Sequence, residues 1–79
     1  MVIKVLGTGC KKCQTLENKV KELAATNNVE ATFEKVTDIN DIMNYGIMMT
    51  PGLVINETVK SFGIIPKDEQ IVKWLKGED

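Results

Sequence analysis

The stretch Val2-Ile3-Lys4-Val5-Leu6-Gly7-Thr8-Gly9-Cys10-Lys11-Lys12-Cys13 decides how this chain folds. Its first five residues are apolar on both strand faces apart from Lys4, which suits a central strand covered on both sides. Gly7-Thr8-Gly9 then breaks the pattern. From Cys10 the period changes: Cys13, Leu16, Val20 and Leu23 step by three, four and three, one face of a helix. The CxxC therefore sits where a strand feeds a helix. Helix geometry puts residues i and i+3 about 5 Å apart between Cα atoms, inside the disulfide window. Cys10 falls at the helix N-terminus, where free N–H groups and the dipole favour a thiolate. Lys11 and Lys12 add positive charge, making them candidate pKa-tuning residues. Cys13, one turn in, shares the apolar face and should be the more buried of the two. The pair reads as a nucleophile, Cys10, and a resolving thiol, Cys13. The bland alternative is two small buried hydrophobes at a coincidental spacing. The coincidence of strand, glycine loop and helix start argues against it.

Composition narrows the chemistry further. The chain has 79 residues, enough for one domain over 1–79. It is 43% hydrophobic but 5% aromatic, so the core must be aliphatic. Ten Lys and Arg against eleven Asp and Glu leave a net charge of −1, with no basic excess to hold nucleic acid. There is no histidine, which removes Ser-His-Asp and Cys-His catalysis. Two cysteines are too few for a closed structural zinc site or a disulfide framework. A Cys10–Cys13 bridge closes so short a loop that it would stabilise by only about 2 kcal/mol. The pair is thus better suited to chemistry than to scaffolding. The apolar run 2–6 is too short for a signal-peptide core or a membrane span, so the default location is the cytoplasm.

The remaining elements follow from periodicity. Glu17 and Lys21 form an i,i+4 pair, and Asn27-Asn28 ends the first helix. Residues 29–36 alternate and predict a half-exposed edge strand. Thr37 or Asp38 caps a short helix with Ile39, Ile42 and Met43 inward, stopped by Gly46. Leu53-Val54-Ile55, the turn Asn56-Glu57 and Thr58 to Phe62 predict a hairpin. Pro66 and the acids Asp68 and Glu69 open a last helix, with Ile71, Val72, Trp74 and Leu75 inward. Lys19, Lys21 and Lys35 read as a solvated face. The order β-α-β-α-β-β-α predicts an α/β fold: a four-stranded mixed sheet with three helices.

Gly9-Cys10-Lys11-Lys12-Cys13 after a first strand, with Thr50-Pro51 before a third, resembles the thioredoxin/glutaredoxin superfamily. The match is with the very small thioredoxin-like redox-active disulfide proteins, and it covers the whole chain. The resemblance implies a minimal thioredoxin-like fold and a thiol–disulfide oxidoreductase acting on protein disulfide substrates. It implies recycling by a separate disulfide reductase, and no cofactor or metal beyond the Cys10–Cys13 disulfide itself. It also implies that Pro51 is cis and lies against the disulfide, with the Thr50 backbone pairing to an extended substrate.

Three features depart from the family pattern. Lys11-Lys12 stands where Gly-Pro or Pro-Tyr pairs are common, and charge there should stabilise the thiolate and favour an oxidant. Lys4 stands six residues before the first cysteine, where thioredoxins carry a buried acid. It either tunes the thiols or reaches solvent past the sheet end. Gly63 followed by Ile64 replaces the glutaredoxin Gly-Gly. Near the implied site, Ile47, Met48 and Met49 are either core or an adaptable docking surface, with Met49 the candidate surface residue. The expected assembly is a monomer without nucleic-acid or membrane partners. The competing reading is a soft-metal carrier for Cu(I), or a metal or cluster site shared across a dimer. Copper chaperones place a similar motif after a first strand but follow the order β-α-β-β-α-β.

Overall fold

The computed structural model describes residues 1–77; Glu78 and Asp79, the last two positions of the expected domain, lie outside the described residues. The elements run β1 (Val2–Leu6), α1 (Lys11–Thr26), β2 (Thr32–Val36), α2 (Ile39–Asn44), β3 (Gly52–Ile55), β4 (Thr58–Phe62) and α3 (Asp68–Leu75). This is the predicted order. The strands form one mixed sheet in the order β2-β1-β3-β4. β1 pairs parallel with β2, and the β1/β3 and β3/β4 pairs are antiparallel.

The alternation of β1 divides the core between two layers. Ile3 and Val5 pack with Leu16, Val20 and Ala24 of α1 and with Ile71 and Leu75 of α3. Leu6 and Val54 face the other way and pack with Ile42 of α2 and with Ile47. Two helices therefore cover one sheet face and the short α2 covers the other. β3 is buried along its whole length, and β1 at Ile3, Val5 and Leu6, with Val2 and Lys4 half-buried. Among the described residues no helix is long and apolar enough to cross a membrane.

Three local expectations are corrected. The strand predicted from residue 29 begins at Thr32. The amide of Val29 instead donates to the Ala24 carbonyl at 2.8 Å, and that of Asn28 to Ala25 at 3.3 Å. Asn28 has φ +56°. Together these close α1 as a Schellman motif, which takes Val29 out of the sheet ladder while its side chain still packs on the core. The second correction concerns α2, capped by Asp38 through a 2.7 Å bond from the Asn40 amide. Of its three apolar residues Ile42 faces the sheet, whereas Ile39 and Met43 are 62% and 63% exposed. Six residues make fewer than two turns, and positions 39 and 43 lie to one side of the face that meets the sheet. Trp74 is half-buried at the edge of the α1/α3 layer rather than central to it.

Candidate active site

β1 delivers the chain to the top of the sheet, and Gly7 and Gly9 turn it into α1. Gly9 has φ +88°, a left-handed conformation that glycine adopts without penalty. Gly7 is needed for a different reason. A Cβ there would overlap Cys13 Sγ. Only a residue without a side chain lets the buried cysteine lie this close to the end of the central strand.

Cys10 is the N-cap of α1, and Cys13 lies in its first turn. The two are joined in a disulfide with Cα atoms 5.1 Å apart. Cys10 is exposed, while Cys13 is 5% exposed. The amide of Cys13 donates to Cys10 Sγ at 3.3 Å. That bond, together with the helix dipole, favours negative charge on Cys10 when the bridge is open. Lys11 and Lys12 occupy the first turn, which holds no acidic residue. Cations oppose the dipole at this end of a helix, and a thiolate beside them offsets that cost.

The Thr50–Pro51 peptide is cis. Thr50 Cβ comes within 3.9 Å of the space a Gly7 side chain would take, so this loop borders the disulfide. The Pro51 carbonyl accepts the Gly63 amide at 2.9 Å. Gly63 has φ +76°, and a Cβ there would stand 3.1 Å from Met49 Cβ. Gly63, Met49, Thr50 and Pro51 are thus one packed unit beside the cysteines. Ile47 is core, while Met48 and Met49 are 96% and 60% exposed. An apolar groove lies alongside, lined by Thr8, Ile39, Met43, Ile47, Met48 and Thr50.

Lys4 is not brought to the cysteines. It alternates onto the α2 face of the sheet, opposite Val5, which faces α1. Its Nζ meets Glu57 Oε1 at 2.6 Å and donates to Tyr45 Oη at 3.0 Å. The hydrogen bond from Lys4 holds the Glu57 carboxyl below its ordinary value. Glu57, then Tyr45, hold the Lys4 ammonium above its own.

Four groups that sequence reasoning missed border this region. Gly7, Ile39 and Met43 reveal their positions only through neighbours distant in the chain. Glu17 reads from spacing as half of a surface pair with Lys21. It is instead buried, with Oε1 3.3 Å from Lys35 Nζ on β2 and Oε2 3.9 Å from Lys21 Nζ. Lys21 and Lys35 are therefore more than a solvated face. Among the described residues no group of three or more His, Cys, Asp or Glu could hold a metal.

Comparison with known proteins agrees with this geometry. A family model described as "Thioredoxin domain" matches residues 1–76. The chain is 35% identical over 75 residues to a protein of Methanothermobacter thermautotrophicus named thioredoxin, covering 95% of this chain and 97% of that one. It is 40% identical over 77 residues to a thioredoxin of Methanocaldococcus jannaschii, covering 96% of this chain and 87% of that one. With the disulfide at the head of α1, these matches extend over the whole fold rather than a motif. The chain belongs to the thioredoxin family and is a thiol–disulfide oxidoreductase.

Proposed function

We propose that Cys10 is the attacking thiol and Cys13 the resolving thiol in the reduction of disulfides in protein clients. The observation that carries this assignment is the asymmetry of the pair. Cys10 is exposed and receives the Cys13 amide, whereas Cys13 is buried beneath it. The Cys10 thiolate attacks a client disulfide, forming a Cys10–client bond and releasing one client thiolate. Cys13 then attacks Cys10 Sγ. The Cys10–Cys13 bond forms, the mixed disulfide breaks, and two electrons have passed to the client. A disulfide reductase supplies them again, and the protein needs no other cofactor.

Thr50, Pro51, Met49 and Gly63 form the client-binding rim, with the Thr50 backbone pairing to an extended segment beside the scissile disulfide. The apolar groove takes the client's neighbouring apolar side chains, because it is continuous with this rim through Thr8 and Thr50. Met43 and Met48, flexible and polarizable, suit clients of varied shape. Lys11 and Lys12 favour the reduced form and so shift the pair toward oxidising poise. A monomer in the cytoplasm completes this reading, and a net charge of −1 leaves no basic excess to hold nucleic acid or an anionic membrane.

The test is insulin reduction with dithiothreitol as electron donor. Cys10→Ser abolishes it, and Cys13→Ser accumulates a covalent complex that a reductant releases. Full activity in Cys10→Ser would sink the assignment.

A further inference from the structure

In the exchange proposed above, Cys13 must lose a proton before it can attack, since the thiolate is the nucleophile. Its surroundings oppose that step, because burial disfavours the charged form. A cavity of about 100 Å³ reaches it, bordered by Val5, Gly7, Cys13, Glu17, Lys35 and Thr37. Glu17 is the acid in this wall, its side chain 12% exposed. It lies on the same face of α1 as Cys13, Leu16, Val20 and Ala24, all buried. An acid in such a row is costly unless paired. Lys35 from β2 and Lys21 from α1 supply the pairing, at 3.3 and 3.9 Å. Val5 and Gly7, from β1 and its end, and Gln14 and Thr37 bring no charge to the cavity. The lysines explain how the carboxylate is tolerated. They do not explain why an acid stands there.

Position supplies the reason. Glu17 is one helical turn beyond Cys13, a spacing that places Cβ atoms about 5–6 Å apart. The cavity they share exceeds the ~10–15 Å³ that a water requires. We infer that Glu17 accepts the Cys13 proton across this cavity, through one water, and that Lys35 fixes the carboxylate in place. The inference rests on the resolving role of Cys13. The S–H bond of Cys13 breaks and its proton passes through the water to Glu17. The Cys13 thiolate attacks Cys10 Sγ, the Cys10–Cys13 bond forms, and the client sulfur leaves as a thiolate. Glu17 returns its proton to solvent or to that leaving group. No other oxidant or reductant is consumed. Glu17 is a positioning residue, since it acts through water rather than on the sulfurs.

One reaction separates the steps. The reduced protein is mixed with a nitrobenzoate aromatic disulfide, which releases one coloured thiol when Cys10 attacks and a second when Cys13 resolves. In Glu17→Gln the first release keeps its wild-type rate. The second slows about 10- to 100-fold near pH 7, and its pH midpoint rises. A purely electrostatic carboxylate would act in the opposite sense: its removal would ease thiolate formation and speed the second release. An equal or faster second release in a folded Glu17→Gln protein, checked by thermal unfolding, overturns the inference. Should that variant not fold, Glu17→Leu, which suits the apolar row of α1 and also removes the acceptor, carries the test. A slowed second release with an unchanged first supports the inference, and two wild-type rates overturn it. Absence of the first release in the wild type would be a failure of the exchange assignment instead.

Discussion

Lys4 and Glu57 show what a single residue's pairing does to stability. Glu57 lies in the Asn56-Glu57 turn, where both residues have positive φ, +49° and +67°. That turn aims its carboxylate at Lys4 of the neighbouring central strand. Glu57 is lowered from 4.5, chiefly by the hydrogen bond from Lys4. Its contribution is therefore present above that value and lost as pH falls through the lower folded one. Lys4 is raised from 10.5, chiefly by its hydrogen bond to Glu57. Its contribution is present below 10.5 and lost as pH rises through the raised folded value. Both groups reach solvent, so the effect is modest. In Glu57→Gln the urea midpoint becomes flatter than wild type at both acid and alkaline extremes. Parallel pH profiles for the two proteins would contradict the pairing.

At the scale of the element, α2 has two apolar sides with different duties. Ile42 is buried against the sheet where it also borders the groove beside the disulfide, while Ile39 and Met43 line that groove from exposed positions. Helical spacing groups all three on one face, and spacing alone cannot divide that face between core and groove. The division depends on where the sheet ends, which is a tertiary fact. It also sets a prediction. Met43→Ser combined with Met48→Ser removes apolar contact worth about 1 kcal/mol, a roughly fivefold rise in KM for a protein substrate. Turnover of a small aromatic disulfide should not change. Equal losses with both substrates would place the methionines in stability rather than docking. α1 shows the same limit. Its apolar stripe is plain in the sequence, but Glu17 within it looks like an ordinary surface acid until β2 brings Lys35 to it.

At the scale of the whole molecule, small size leaves little reserve. A chain of 79 residues has a total stability of about 4–12 kcal/mol. Leu16 is fully buried between α1 and the sheet, in the cluster that also holds Ile71 and Leu75 of α3. Leu16→Ala costs about 2–5 kcal/mol, a large share of that total. Urea unfolding should show the midpoint falling with little change in slope. Because Leu16 and Cys13 lie on one helix face, insulin reduction should fall as the protein unfolds. A midpoint within error of wild type would mean that the α1 layer is not the main source of stability.

The sequence by itself determined the element order, the two-faced burial of β1 and the placement of the CxxC at a helix start. These follow from local periodicity, glycine breaks and capping, which act within a few residues. It also determined that chemistry without histidine must rest on the two thiols. Tertiary structure decided the rest. It took Lys4 to the far face of the sheet and buried Glu17 beside Cys13. It made Gly7 obligatory through contact with a sulfur six residues on, and turned Ile39 and Met43 outward. In each case the deciding neighbour is set by which elements pack together. The physical reason is that burial and proximity are properties of packed surfaces, whereas periodicity reports only the face a residue occupies on its own element.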